Sequence, residues 1–146
     1  MQIERQMYGK CKEFFDVLIE GIKEDILSST GKTIAEEKLK EGYSYKKENH
    51  EIKKKQIAKA KIVKYDVPNE YCLKVTSDNG VTTISYKIRQ EDDENFTVVY
   101  KEEYVAKGAS KGKLVHFMHE RSVKKRINRT LDYIQKYMNE KKNKEE

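Results

Sequence analysis

The hydrophobic positions of this chain change period twice. From Lys10 to Ser29, the residues Phe14, Phe15, Leu18, Ile19, Ile22, Ile26 and Leu27 recur at spacings of three and four, which predicts an amphipathic helix, and Thr30-Gly31 supplies its stop. Between Tyr43 and Tyr104 the period falls to two, as in strands that bury one face. It then returns to helical spacing: Val123, Ile127, Leu131, Ile134 and Met138 follow each other at four, four, three and four, so they share one face of a long last helix.

Within this frame Met1, Ile3, Arg5 and Met7 alternate with Gln2, Glu4 and Gln6, a short first strand. Ile34 to Leu39 has the makings of one more helical turn, because Thr33 followed three residues later by Glu36 resembles a capping box. Tyr43 and Tyr45 open a second strand, and the charged connection Glu48 to Lys55 leads to a third, whose Ala58, Ala60 and Ile62 should face inward. Pro68-Asn69 breaks the run before Tyr71, Leu73 and Val75. Asp78-Asn79-Gly80 is a hairpin signal whose residues accept positive φ. Beyond it Thr82, Ile84, Tyr86 and Ile88 share one face, and after the acidic turn Glu91 to Asn95 so do Phe96, Val98, Tyr100, Glu102 and Tyr104. A small-residue basic linker, Lys107 to Lys113, precedes the last helix.

The 146 residues suit a single domain able to bury roughly two-thirds of its unfolded surface. We place that domain at 1–139 and a charged tail that frays at 140–146. Charged residues make up 38% and hydrophobic ones 36%, a balance that would predict disorder were the apolar positions not periodic. A formal net charge of +6, from 31 basic and 25 acidic residues, favours solubility more than a dedicated polyanion partner. Cys11 and Cys72 lie on different elements without CxxC spacing, so no disulfide is expected. With no apolar run near 18 residues and no apolar leader, the sequence predicts a soluble cytoplasmic protein without a membrane span.

If the sheet curves around the last helix, inward strand residues and the apolar helical stripe enclose a cavity. The candidate ligand-binding residues are then Tyr71, Tyr86, Tyr100, Glu102 and His116. Glu102 has the parity of Tyr100 and Tyr104, so its carboxylate points into an apolar face, where it must find a cation or hydroxyl or take up a proton, unless it reaches solvent at the strand end. His116 continues the stripe of Val123 and Ile127. His116 and His119 stand three apart beside Glu120, but two ligands rarely make a metal site, and no zincin arrangement is present. No metal and no cofactor is predicted.

The basic segment Lys124-Lys125-Arg126 with Arg129 would suit phosphates, with Lys53-Lys54-Lys55 as a second cluster, but the aromatic interleaving of RNA-reading sheets is missing and a solvated helix face is expected. No nucleophile elbow, phosphate loop or paired catalytic cysteine and histidine occurs, and no catalytic residue is assigned.

The order of strand, helix, antiparallel strands and long C-terminal helix resembles the START-like superfamily, also called SRPBCC or helix-grip. More closely, the chain looks like an uncharacterised domain-of-unknown-function family of Gram-positive bacteria, through Phe14-Phe15-Asp16, Ser29-Thr30-Gly31-Lys32-Thr33, Ser85-Tyr86-Lys87-Ile88, Tyr100-Lys101-Glu102 and Lys124-Lys125-Arg126. The resemblance implies an α+β fold whose curved antiparallel sheet packs against the C-terminal helix over a hydrophobic cavity. It carries no known activity. The reading that follows is of a protein binding a small apolar or amphipathic ligand. Its rivals are an interaction module for protein or nucleic acid using the basic face of the last helix, and a hydrolase or cyclase with Glu102 and His116 as acid and base.

Overall fold

A computed structural model describes residues 1–49, 56–106 and 113–145, and all their side chains except those of 48, 49, 56 and 113–118. Its elements are β1 (Gln2–Tyr8), α1 (Cys11–Thr30), a 3-10 turn (Glu36–Lys38), β2 (Ser44–Asn49), β3 (Gln56–Asp66), β4 (Glu70–Ser77), β5 (Gly80–Gln90), β6 (Asn95–Ala106) and α2 (Lys113–Glu145). The strands form one antiparallel sheet in the order β1-β6-β5-β4-β3-β2, and both helices pack on its inner face. These are the strands and the long C-terminal helix that the alternating and helical periods predict, in the curved-sheet arrangement that the resemblance implies.

The core follows the patterning, except that Leu27 at the end of the α1 stripe is exposed. Phe14, Phe15, Ile19, Ile22 and Ile26 of α1 and Val123, Ile127, Leu131, Ile134 and Met138 of α2 are buried against Ala60, Ile62, Leu73, Ile88, Phe96 and Val98 of the sheet. Helix α1 stops where Gly31 takes φ 73° and returns its N–H to the Leu27 carbonyl at 2.8 Å, a left-handed cap that a Cβ would strain. Its start is held by Gln90, whose side chain accepts from the Cys11 N–H at 2.8 Å and donates to the Gly9 carbonyl at 3.0 Å. Helix α2 is fixed to the sheet edge by Gln135, which accepts from the Tyr8 N–H at 2.8 Å and donates to the Tyr8 carbonyl at 3.0 Å, so one amide stands in for a neighbouring strand.

Three local features differ from the sequence reading. The turn after α1 is capped by Ala35 rather than Thr33, because the buried anchors Ile34 and Leu39 leave room between them for a single tight turn. In the β4–β5 hairpin neither Asp78 nor Asn79 has a positive φ. The parity of β3 also reverses midway: a bulge at Val63 pairs Ile62 with Leu73 and Lys64 with Cys72, and this turns Tyr65 inward onto Phe15. Cys11 and Cys72 are both free thiols.

Candidate functional site

The bulge in β3 has a long-range result. With Tyr65 turned inward, the register pairs Tyr65 with Tyr71, Tyr71 with Tyr86, and Tyr86 with Tyr100, so four tyrosines stand in one row across β3, β4, β5 and β6. Successive ring centroids lie 6.5, 6.5 and 4.9 Å apart, the spacing of tilted and edge-to-face aromatic pairs.

The β6 end of the row is polar. The Tyr100 hydroxyl donates to Glu102 Oε1 at 2.6 Å, and Arg126 Nη2 of α2 donates to the same oxygen at 3.0 Å. The Glu102 side chain is only 9% exposed, whereas that of Arg126 is 61% exposed. A carboxylate aimed into an apolar face has thus found both a hydroxyl and a cation, and the arginine lids it from the solvent side. Parity located Glu102; Arg126, expected to belong to a solvated basic face, is the partner that the sequence did not reveal.

The middle of the row is the floor of an open cleft of about 1190 Å³ between α1 and α2. Tyr71, Leu73, Ile84 and Tyr86 form the floor, Val17, Leu18, Gly21 and Ile22 of α1 one wall, and Thr130, Tyr133, Ile134 and Tyr137 of α2 the other. Tyr133 and Tyr137 are 67% and 45% exposed and stand at the mouth. On the β2 side the Tyr45 hydroxyl donates to Asp25 of α1, and Lys47 Nζ lies 3.5 Å from the other oxygen of that carboxylate. These wall and mouth residues were not among the sequence candidates, because which helical residues border a cleft depends on where the two helices land on the sheet.

Burial sets the chemistry of the phenols. It pushes the Tyr86 hydroxyl up to about 12, opposed by the nearby Arg126 charge. Tyr100 is raised further, by burial first and then by its bond to Glu102; Tyr45 likewise by burial and then Asp25; and Tyr71 by burial with Tyr86 and Asp25 beside it. All four are therefore neutral hydrogen-bond donors in ordinary conditions. Among the described residues the Tyr71 and Tyr86 hydroxyls have no hydrogen-bond partner, yet neither is sealed from solvent, so both are open to whatever enters the cleft.

Of the five sequence candidates, Tyr71 and Tyr86 line the cleft, while Tyr100 and Glu102 lie one strand beyond its lining and join it through the Tyr86–Tyr100 ring contact. The His116 side chain lies outside the described residues, and His119 is exposed. Among the described residues no three His, Cys, Asp or Glu side chains converge on a metal-sized site, and no helix is long and apolar enough to cross a membrane.

Solved structures share this architecture. A conserved protein from Geobacillus kaustophilus superposes with a TM-score of 0.61 at 17% identity, covering 95% of this chain and 94% of its own. A protein from Staphylococcus epidermidis gives 0.62 at 13% identity over 97% and 90%, and Ara h 8.0201 gives 0.58 at 16% over 94% and 97%. At such identities the likeness establishes the fold, the START-like helix-grip arrangement, and nothing of ligand or activity. No curated protein matches the chain in sequence. A family model does match, over residues 1–121, from β1 through the start of α2, and the chain belongs to that family, the domain of unknown function DUF3284.

Proposed function

We propose that this protein binds a small amphipathic ligand in the cleft between α1, α2 and the sheet. The observation that carries the reading is the floor: an apolar surface of Leu73 and Ile84 interrupted by two neutral phenol donors, Tyr71 and Tyr86, that have no protein partner among the described residues. A large concave site with few oriented polar groups is the usual form of a small-molecule pocket, and about 1190 Å³ exceeds what a drug-sized molecule needs. An apolar body would lie on Leu73 and Ile84 while a polar acceptor meets the phenols. The Asp25–Tyr45–Lys47 cluster offers a second polar contact at the β2 side. In this reading Tyr71 and Tyr86 touch the ligand, and Tyr100 and Glu102 position Tyr86 from behind.

The test is a fluorescence titration with the neutral apolar probe N-phenyl-1-naphthylamine. Saturable binding to the full chain, abolished by the cleft-filling change Ile84→Trp in a protein that still melts cooperatively, is the expected result. Absence of saturable binding, or binding indifferent to Ile84→Trp, would contradict the reading.

A further inference from the structure

The outer face of the sheet, opposite the cleft, carries a charge arrangement that folding alone does not explain. Lys46 on β2 pairs directly with Lys59 on β3, and Lys61 on β3 pairs directly with Lys74 on β4. Like charges set directly opposite each other across strands destabilise a sheet. Lys64 lies on the same face, two rows along from Lys59 and one from Lys61 and Lys74. All five lysines are exposed, and none has an ion pair among the described residues. The acids of β3 and β4 on this face, Asp66 and Glu70, pair with each other at the far end of these strands.

The basic cluster continues into an apolar margin. The row that starts with Lys46 and Lys59 runs on through Thr76, Val81 and Val105, so it crosses five strands, about 19 Å at the usual inter-strand spacing. Val105 is 69% exposed, and Ile57, two residues before Lys59 on the same face, is 57% exposed. Among the described residues of β2 to β6 this face has no aromatic side chain on which a base could stack. Lysines also act as point charges without the fork that reads bases or grips a single phosphate.

We infer that the outer face of β2 to β6 docks the protein on an anionic lipid surface, with Lys46, Lys59, Lys61, Lys64 and Lys74 meeting the headgroups and Ile57 and Val105 entering the interface. A lysine-based charge field spread over several strands and flanked by exposed aliphatic side chains suits a fluid array of lipid phosphates and carboxylates better than the grooves of a duplex.

The test is co-sedimentation of the full chain with phosphatidylcholine vesicles containing phosphatidylserine, against vesicles of phosphatidylcholine alone. The expected result is binding to the acidic vesicles only, weakened by salt and lowered roughly 100-fold by Lys59→Gln/Lys61→Gln/Lys74→Gln, about fivefold per lysine. That variant should melt at the same or a higher temperature, because it removes opposed like charges. Ile57→Ser/Val105→Ser should weaken vesicle binding while leaving binding to a DNA duplex unchanged. The inference is overturned if acidic vesicles are not bound, if Lys124→Gln/Lys125→Gln/Arg129→Gln on α2 abolishes binding and the sheet variant does not, or if a DNA duplex is held more tightly than the vesicles with Ile57 and Val105 immaterial.

Discussion

Tyr100 and Glu102 stand two residues apart on the inner face of β6, and the phenol of the first donates to the carboxylate of the second at 2.6 Å. Arg126 completes the group from α2. The three side chains therefore tie the last strand to the last helix at the polar end of the tyrosine row.

Removing the arginine alone leaves the nearly buried carboxylate with one partner. Because the guanidinium is largely exposed, solvent screens much of the pair, and Arg126→Ala should cost about 1 kcal/mol in urea unfolding. The double variant Arg126→Ala/Glu102→Gln should cost less than the sum of the two single changes, since the second removes the charge that the first stranded. Strict additivity would show that the two side chains do not interact.

The raised phenols predict alkaline behaviour. Tyr45, Tyr71, Tyr86 and Tyr100 hold their protons in the fold beyond the free-phenol value of about 10, so the stability they contribute is fully present below pH about 10 and is lost as pH rises through their folded values. Tyrosinate absorbance at the ultraviolet edge should include a cooperative step that coincides with loss of circular dichroism. If all phenols ionised near pH 10 in a still-folded protein, the buried row would be refuted.

Two glycines of the α1 region should respond oppositely to alanine. Gly21 lies in the helix interior with nothing within 4 Å of the place a methyl would take, so Gly21→Ala should stabilise by about 0.5–1 kcal/mol. Gly31 sits at φ 73°, where Gly31→Ala should destabilise by about 1 kcal/mol although its surroundings are equally open. Thermal melts of the two variants check the signs.

Tyr71→Phe separates binding from folding. The hydroxyl has no protein partner among the described residues, so its loss should leave stability within about 0.5 kcal/mol, while ligands bearing a hydrogen-bond acceptor bind several-fold more weakly and purely apolar probes bind unchanged. Equal weakening of both ligand types would place Tyr71 in the packing rather than in recognition.

The sequence carried the elements because each is amphipathic on its own period. The α2 stripe of Val123, Ile127, Leu131, Ile134 and Met138 is buried throughout, and the β6 parity that aims Glu102 inward holds without a slip. What lay beyond it is what depends on a partner element. The Val63 bulge, which completes the four-tyrosine row, follows from how β3 meets β4 and has no local signal. The wall of the cleft formed by Val17, Leu18 and Gly21 is the rim of the α1 apolar face, where Val17 and Leu18 are half-buried against the core and open to the cleft, and Asp25 gains its meaning only when β2 brings Tyr45 and Lys47 beside it.

Occupancy of the cleft is read residue by residue by methyl-resolved NMR during titration with N-phenyl-1-naphthylamine. If the cleft binds the probe, saturable shifts are expected at the methyls of Ile22, Leu73, Ile84 and Ile134, which line the cleft, with Ile62 and Val98 in the closed core unmoved. Shifts confined to Ile57 and Val105 on the outer face, or no saturable shift at all, would contradict it.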